Sequence, residues 1–277
     1  MLTAAVMGAS ASQPVEELAT ALETEEALLD DLVAGLDDTG WQRLTPAPGW
    51  RVHDQIGHLA TSEEWATTAV VEPEAFATML DRARTDLAAF AAATEKRARA
   101  LSHAHVLGRW RDQRQATVAA VRSLPPSARI PWFGPPMGAR AFLTARLMET
   151  WAHGQDVRDA LGAAPSASDR LHDVAHLGVV TRPFTFANRG RAVPDVPTRV
   201  ELRSPDGVTW AWGPADASDR VVGPALDFCL VITQRRNVAD TSLHVVGEHA
   251  REWMAIAQAF AGPATDPPPP ASSRPLK

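Results

Sequence analysis

One helical segment, at about residues 139–161, carries charged side chains on a face that should be buried. Residues three or four positions apart share a helix face, so Glu149, His153 and Asp156 project together. Burying an uncompensated charge costs several kcal/mol unless the group is paired or neutralised. The segment therefore needs a partner for these groups, which is either a divalent metal ion or a network of other polar side chains.

Four long segments with helical periodicity fall within the first 165 residues. In each, apolar residues recur every three or four positions with polar residues between them. Long helices joined by turns predict a four-helix bundle, and the core of a bundle is a common place for a metal site built from facing helices. The four segments are residues 14–36, 52–70, 104–124 and 139–161, with a less regular helical stretch after Pro73.

The periodicity changes after Gly162, and the remaining sequence predicts a small α/β domain. Residues 198–203 and 208–212 alternate on either side of a Ser-Pro-Asp-Gly turn, which is typical of a β-hairpin. Helices are predicted at 169–180, 222–234 and 248–260, and a short strand at 243–246. The fold class is therefore α+β, with a flexible N-terminus at 1–13, the bundle at 14–165, the small domain at 166–262 and a disordered proline-rich tail at 263–277.

Composition narrows the functional classes. The chain of 277 residues has a net charge of -6 and no block of Lys or Arg, which argues against nucleic-acid binding and a polybasic membrane anchor. Its single cysteine, Cys229, excludes an internal disulfide and a thiolate metal cluster. Residues 1–12 do not resemble a secretory signal, and no apolar run reaches about 18 residues. We expect a cytoplasmic protein, monomeric or homodimeric, that acts on small molecules.

A metal site needs about three protein ligands from at least two helices, which leaves one coordination position open. His58 on the second helix joins Glu149 and His153 as the candidate set. The alternative is that His58 bonds a backbone carbonyl at the edge of the core and the stripe is a structural network. We expect Asp156 to accept a hydrogen bond from a ligating histidine or to cap a partner, and not to act as a fourth ligand. We expect His53 to lie at the surface or the pocket rim.

Further candidates lie outside this set. Arg182, Asn188 and Arg189 fall in a polar segment between the two domains and are candidates for binding an anionic ligand or cofactor, with simple solvation as the alternative. Trp132 and Phe133 form either a lid over the bundle or a loop packed on helix ends. Glu63 belongs to the solvated side of its helix or lines the cavity.

Two motifs resemble the DinB-like superfamily, and within it the actinobacterial, mycothiol-dependent maleylpyruvate isomerase type. Pro-Gly-Trp at 48–50 with Gln-Ile-Gly-His-Leu-Ala at 55–60 is similar to the first ligand motif of that family, and residues 149–157 are similar to the second. The resemblance implies that His58, Glu149 and His153 bind the metal. It also implies that the small domain is similar to a sterol-carrier-protein fold and supplies a catalytic arginine, for which Arg235 and Arg236 are the candidates.

The resemblance implies a metal-dependent enzyme that uses mycothiol or a similar low-molecular-weight thiol. Zinc is the expected metal, with nickel as the alternative, and the reaction is an isomerisation or a thiol transfer on a small, acidic electrophile. The loop at 132–135 resembles a metal-binding subgroup of the family, so the identity of the substrate does not transfer. The competing hypothesis is a non-catalytic carrier or sensor with a structural polar or metal site.

Overall fold

A computed structural model describes residues 15–273, which contain eleven α-helices and four β-strands. The segment predicted to be flexible, residues 1–13, lies outside the described residues. In chain order the elements are α1 (Val15–Val33), α2 (Asp38–Trp41), α3 (Val52–Val71), α4 (Pro73–Thr85), α5 (Leu87–Arg99), α6 (His103–Arg122), α7 (Ala139–Leu161), α8 (Leu171–Val180), α9 (Arg182–Ala187), β1 (Thr198–Arg203), β2 (Thr209–Trp212), β3 (Asp219–Pro224), α10 (Ala225–Ile232), β4 (His244–Val246) and α11 (Glu248–Ile256).

The first domain is a bundle of the four long helices α1, α3, α6 and α7, with α4 and α5 packed against α3. Its helix ends carry ordinary stop and start signals. Ser102 caps α6 by accepting a hydrogen bond from the backbone N–H of His105, and α7 ends at Gly162, whose φ of 69° suits glycine. The apolar faces of the helices pack against one another, and residues on them such as Leu18, Leu59 and Phe142 are fully buried. None of the helices within residues 15–273 has the length and apolar character needed to cross a membrane.

The second domain is built on a four-stranded sheet in the order β2-β1-β3-β4. The predicted hairpin is β1 paired antiparallel with β2, in a register that sets Val200 opposite Trp212. The segment predicted as a helix from 222 is a strand as far as Pro224, because β3 pairs parallel with β1 and antiparallel with β4. Helix α10 begins only at Ala225. The sequence did not show this boundary, because a short buried apolar run is compatible with either a strand or a helix.

The two domains are joined by α8, which packs on both α7 and α10. One continuous cluster of buried apolar side chains includes Leu147 of α7, Val174 of α8 and Phe228 of α10. The predicted α+β class, a helix bundle followed by a small α/β domain, is therefore confirmed. The continuity of the core brings the end of α10 close to the C-terminal half of α7.

The proline-rich tail, as far as residue 273, makes hydrogen bonds to the second domain. The Gln258 side chain donates to the carbonyl of Pro263, and the Asn237 side chain donates to the carbonyl of Pro268. The backbone N–H of Ala271 donates to the Asp240 carboxylate. Extended proline-rich backbone leaves its carbonyls unpaired, so side-chain amides of the domain can hold it in place.

Candidate metal centre

The three predicted ligands converge. His58 projects from α3, and Glu149 and His153 lie one turn apart on α7. The Nε2 atom of His58 is 3.5 Å from Oε2 of Glu149, and Nε2 of His153 is 3.4 Å from the same oxygen. One ligand atom from each residue lies within 4.8 Å of the other two. The side chains of Glu149 and His153 are 17% and 14% exposed, against 36% for His58, so the group is open toward one side only.

A chain of hydrogen bonds fixes the tautomer of His153. The Thr45 hydroxyl donates to the carbonyl of Trp50 and accepts from the side-chain N–H of Gln55. This orients the amide so that Oε1 of Gln55 accepts from Nδ1 of His153, at 2.6 Å. The ring proton of His153 is therefore on Nδ1, and Nε2 presents a lone pair to Glu149.

The protonation states of His153 and Glu149 favour the binding of a cation. Burial, and then the neighbouring His58, lower the pKa of His153 to about 4, so its imidazole is neutral near pH 7. Burial acts to raise the pKa of Glu149, but the hydrogen bond from His58 and the positive charge of Arg146 oppose it, and that pKa lies well below its usual range. Glu149 is consequently a carboxylate beside a neutral imidazole, which are the forms in which both residues bind metals.

The arrangement leaves two acceptors facing each other. A lone pair on Nε2 of His153 points at a carboxylate oxygen 3.4 Å away, with no proton between them. A cation in that gap would turn this repulsion into attraction. Metal–ligand bonds of about 2.0–2.1 Å in a tetrahedral site separate the ligand atoms by about 3.3 Å, close to the two separations found here. The donor set, with two imidazoles and one carboxylate, fits zinc or another borderline divalent ion.

A cavity of about 240 Å³ opens beside the three ligands. Met148 and Ala152 of α7 form one wall, and Phe260 and Ala261 of the second domain form another. The Trp50 ring lies against both histidines, with its centroid 5.4 Å from His58 and 6.0 Å from His153. The walls are apolar apart from the ligands and one cation, so a bound molecule would meet few competing waters.

The cation is Arg235, and the two candidate arginines are separated by the structure. Arg235 lines the cavity and donates to Asp156 at 2.9 Å. Arg236 turns away and pairs with both oxygens of Asp159, at 2.7 and 2.9 Å. Asp156 does not accept from His153, because the Nδ1 atom of His153 is held by Gln55. Its carboxylate pairs with Arg235 instead, which agrees with the alternative that it caps a partner.

Arg182, Asn188 and Arg189 are not brought to this cavity. The Asn188 side chain donates to the carbonyl of Gly262, and Arg189 pairs with Asp266, so both hold the C-terminal tail. Arg182 lines a different cavity in the second domain. The three residues do not form one anion site, and their assignment to a thiol cofactor remains a prediction that this geometry does not support.

Two other expectations need correction, for His53 and Glu63, and the open alternative for the loop at Trp132 is decided. His53 is buried, not at the surface, and its Nε2 lies 3.2 Å from the carbonyl oxygen of Ala98. Glu63 is fully buried and faces Arg146, because its helix face is covered by α6 and α7. Trp132 is packed in the core, stacked on Phe76, so its loop packs on the bundle and does not line the cavity.

Gln55 is the residue of the centre that the sequence did not single out. It is fully buried and lies three positions before His58, on the same face of α3. An amide on a buried helix face one turn before a candidate ligand is the signal that was available, because buried amides need partners. Phe260 and Ala261 gave no such signal, since their place in the wall depends on how the second domain packs.

The fold and the centre define a class of two-domain protein, in which a helix bundle carries a His₂Glu set and a small α/β domain closes over it. A family described as "Mycothiol maleylpyruvate isomerase N-terminal domain" matches residues 22–158, and one described as "Wyosine base formation" matches residues 194–245. Uncharacterized proteins from two strains of Mycobacterium tuberculosis, H37Rv and CDC 1551, are each 46% identical over 242 residues, covering 87% of this chain and 94% of the relative.

The chain belongs to the mycothiol maleylpyruvate isomerase family. Its fold is similar to crystal structures of the mycothiol-dependent maleylpyruvate isomerase, with a TM-score of 0.54, and of a histidine-to-alanine variant of that enzyme, with a TM-score of 0.55. Each comparison covers 80% of this chain and 90% of the other at 16% identity, a level at which the likeness concerns the fold.

Proposed function

We propose that this protein is a metal-dependent enzyme that uses a low-molecular-weight thiol, with mycothiol as the expected thiol, for an isomerisation or a thiol transfer on a small acidic electrophile. His58, Glu149 and His153 hold the metal, which is zinc, with nickel as the alternative. The observation that carries the proposal is the gap between Nε2 of His153 and Oε2 of Glu149, where two acceptors face each other at 3.4 Å.

The ion would supply one chemical effect, since coordination lowers the pKa of a bound thiol until it is deprotonated at neutral pH. The residues of the chain do the rest. Gln55 keeps the proton of His153 on Nδ1, so that Nε2 stays free as a ligand. Arg235 supplies a cation in the cavity for the carboxylate of an acidic substrate, and Asp156 holds it in place. Trp50 and Phe260 shield the centre from water.

Family membership supports the thiol part of this proposal, because the fold neighbours are named for their dependence on mycothiol. The substrate does not follow from that likeness. The proposal places the protein in the cytoplasm, where low-molecular-weight thiols are kept reduced. Its ligands are small molecules, namely the thiol and the electrophile.

The test is the metal content of the purified full chain, measured by elemental analysis for wild type, His58→Ala, Glu149→Gln and His153→Ala. His53→Ala is the matched control, because His53 is a buried histidine on the same helix that bonds a backbone carbonyl. We expect about one metal ion per chain in wild type and in His53→Ala, and almost none in the three ligand variants.

The thiol is tested on the cobalt-substituted protein. Adding a low-molecular-weight thiol should produce a thiolate-to-cobalt charge-transfer band in wild type and none in His153→Ala. A wild type that is metal-free after reconstitution, and that is as stable as the ligand variants, would refute the proposal. That result would favour the competing hypothesis, a carrier or sensor whose buried stripe is structural.

A further inference from the structure

A second cavity, of about 440 Å³, lies in the small domain and shares no lining residue with the metal centre. Its walls are largely apolar. Val179 and Val180 come from the end of α8, Val200 from β1 and Trp253 from α11, and prolines contribute the rim. Two polar side chains, Arg182 and Thr198, line the same cavity. The cavity is therefore largely apolar, and the charge that Arg182 contributes to it is positive.

One polar atom on each of these two side chains lacks a hydrogen-bond partner in the protein. The Nε atom of Arg182 and the hydroxyl oxygen of Thr198 are buried, and neither has a hydrogen-bond partner among residues 15–273. The other guanidinium contacts are long, at 3.3 to 3.5 Å, to the carbonyls of Pro194 and Val196. A buried donor without a partner costs free energy, and a ligand that offers an acceptor would remove that cost.

Arg182 also lacks a counter-ion. Within the described part of the chain no carboxylate lies within ion-pair distance of it, although nearly every other buried or half-buried arginine of this domain has one or bonds a carbonyl at short range. Burial lowers the pKa of Arg182, and the field of Asp219 opposes this effect. Asp219 itself is engaged elsewhere, since its carboxylate accepts from the backbone N–H of Ala250 at 2.7 Å.

We propose that this cavity binds a small monocarboxylate with an apolar body. The carboxylate accepts hydrogen bonds from the guanidinium of Arg182 and the hydroxyl of Thr198, which supplies the missing anion and the missing acceptor together. The apolar body lies against Val179, Val200 and Trp253. At about 30 Å³ for a water-sized group, the cavity holds about fifteen non-hydrogen atoms, enough for a medium-chain fatty acid or an arylalkanoic acid.

The experiment is isothermal titration of the full chain in the presence of a metal chelator, so that no metal ion takes part in the binding. Octanoate and 4-phenylbutanoate carry the same carboxylate on a chain and on a ring, and octylammonium is the probe of opposite charge. We expect one molecule of at least one carboxylate to bind per chain, with octylammonium at least tenfold weaker. The tighter of the two carboxylates then identifies the source as lipid-derived or aromatic.

Variants locate the binding. Arg182→Gln should weaken carboxylate binding at least tenfold, because it removes the charge and keeps a polar side chain. Val180→Trp should also weaken it, since Val180 is an exposed rim residue at which an indole can occupy the cavity without entering the core. Arg189→Gln is the matched control and should bind as wild type, because Arg189 pairs with Asp266 outside the cavity.

Two results would overturn the proposal. One is the absence of binding by either carboxylate at millimolar concentration to a wild type whose thermal unfolding is cooperative. The other is equal affinity of Arg182→Gln and Arg189→Gln for the carboxylate, or equal affinity of wild type for octanoate and octylammonium, which would show nonspecific apolar binding. Neither result bears on the metal content of the protein, so failure here leaves the proposed function standing.

Discussion

Replacing Gln55 by Met removes the acceptor that holds the ring proton of His153. Gln55 is fully buried, and its side chain bonds Nδ1 of His153 at 2.6 Å and the Thr45 hydroxyl at 2.9 Å. Methionine has nearly the same length but no strong acceptor. In Gln55→Met no acceptor favours the tautomer of His153 with its proton on Nδ1. The other tautomer has its proton on Nε2 and cannot bind the metal through that atom.

The expected loss of zinc affinity follows from the role of hydrogen bonds that orient ligating histidines. Loss of the hydrogen bond that orients a ligating histidine typically weakens metal binding 10- to 100-fold, which is about 1.4–2.7 kcal/mol. The apo protein should also lose about 1–3 kcal/mol of stability, because a buried N–H is left without a partner. Gln55→Glu restores an acceptor at the same place, so we expect it to keep most of the zinc affinity.

Zinc affinity is measured by competition with a chromophoric chelator, and the tautomer of His153 by long-range ¹H–¹⁵N correlation spectra of the apo protein. Gln155→Met is the control, since Gln155 is buried on α7 two residues from His153 and bonds Asp159 instead of a ligand. It should lose stability and keep its zinc affinity within about twofold. Equal zinc affinity in wild type and Gln55→Met, or a proton on Nε2 of His153 in wild type, would refute the reasoning.

Three further predictions concern charge. Arg235→Gln should weaken binding of a small dicarboxylate to the cobalt-substituted protein at least tenfold, and Arg236→Gln should leave it unchanged, because only Arg235 lines the cavity; absorption titrations decide this. Burial, and then a neighbouring buried carboxylate, raise the pKa of Glu26 in the folded protein. Ionised Glu26 therefore lowers the free energy of unfolding increasingly as the pH rises above the pKa that Glu26 has in the unfolded chain. Glu26→Gln should therefore raise the free energy of unfolding in urea by about 1–3 kcal/mol at pH 8 and by little at pH 4, with the exposed Glu17→Gln as a flat control. Zinc at a thousand times its dissociation constant should stabilise wild type by about 4 kcal/mol in thermal unfolding and leave Glu149→Gln unaffected.

The helices and the candidate metal ligands are predictable because both follow from one periodicity. Where apolar residues repeat every three or four positions, the buried face of each helix is known, and the polar residues on that face can be found without coordinates. His58, Glu149 and His153 lie on such faces, and the bundle brings their helices together. The hairpin is predictable for a similar reason, because its Ser-Pro-Asp-Gly turn marks where two alternating strands meet.

What the sequence could not decide depends on pairing between distant elements. β3 is a strand because β1 and β4 lie on either side of it, and nothing in the run around Val221 distinguishes it from the start of a helix. Gln55 and Asp156 lie on the faces that carry ligands, and either is chemically able to accept from His153. In the folded chain Gln55 bonds Nδ1 of His153, and Asp156 bonds Arg235 of the second domain.

The same helix therefore carries two residues of the candidate metal centre and docks the second domain. Glu149 and His153 face the bundle, while Asp156 and Asp159, one and two turns farther along α7, pair with the consecutive arginines that follow α10. The side chains of both ion pairs are mostly buried. Removing one partner would therefore leave an uncompensated charge. Because the acidic residues are fixed in register with the ligands, the domain that supplies Arg235 can dock only where that arginine reaches the metal cavity.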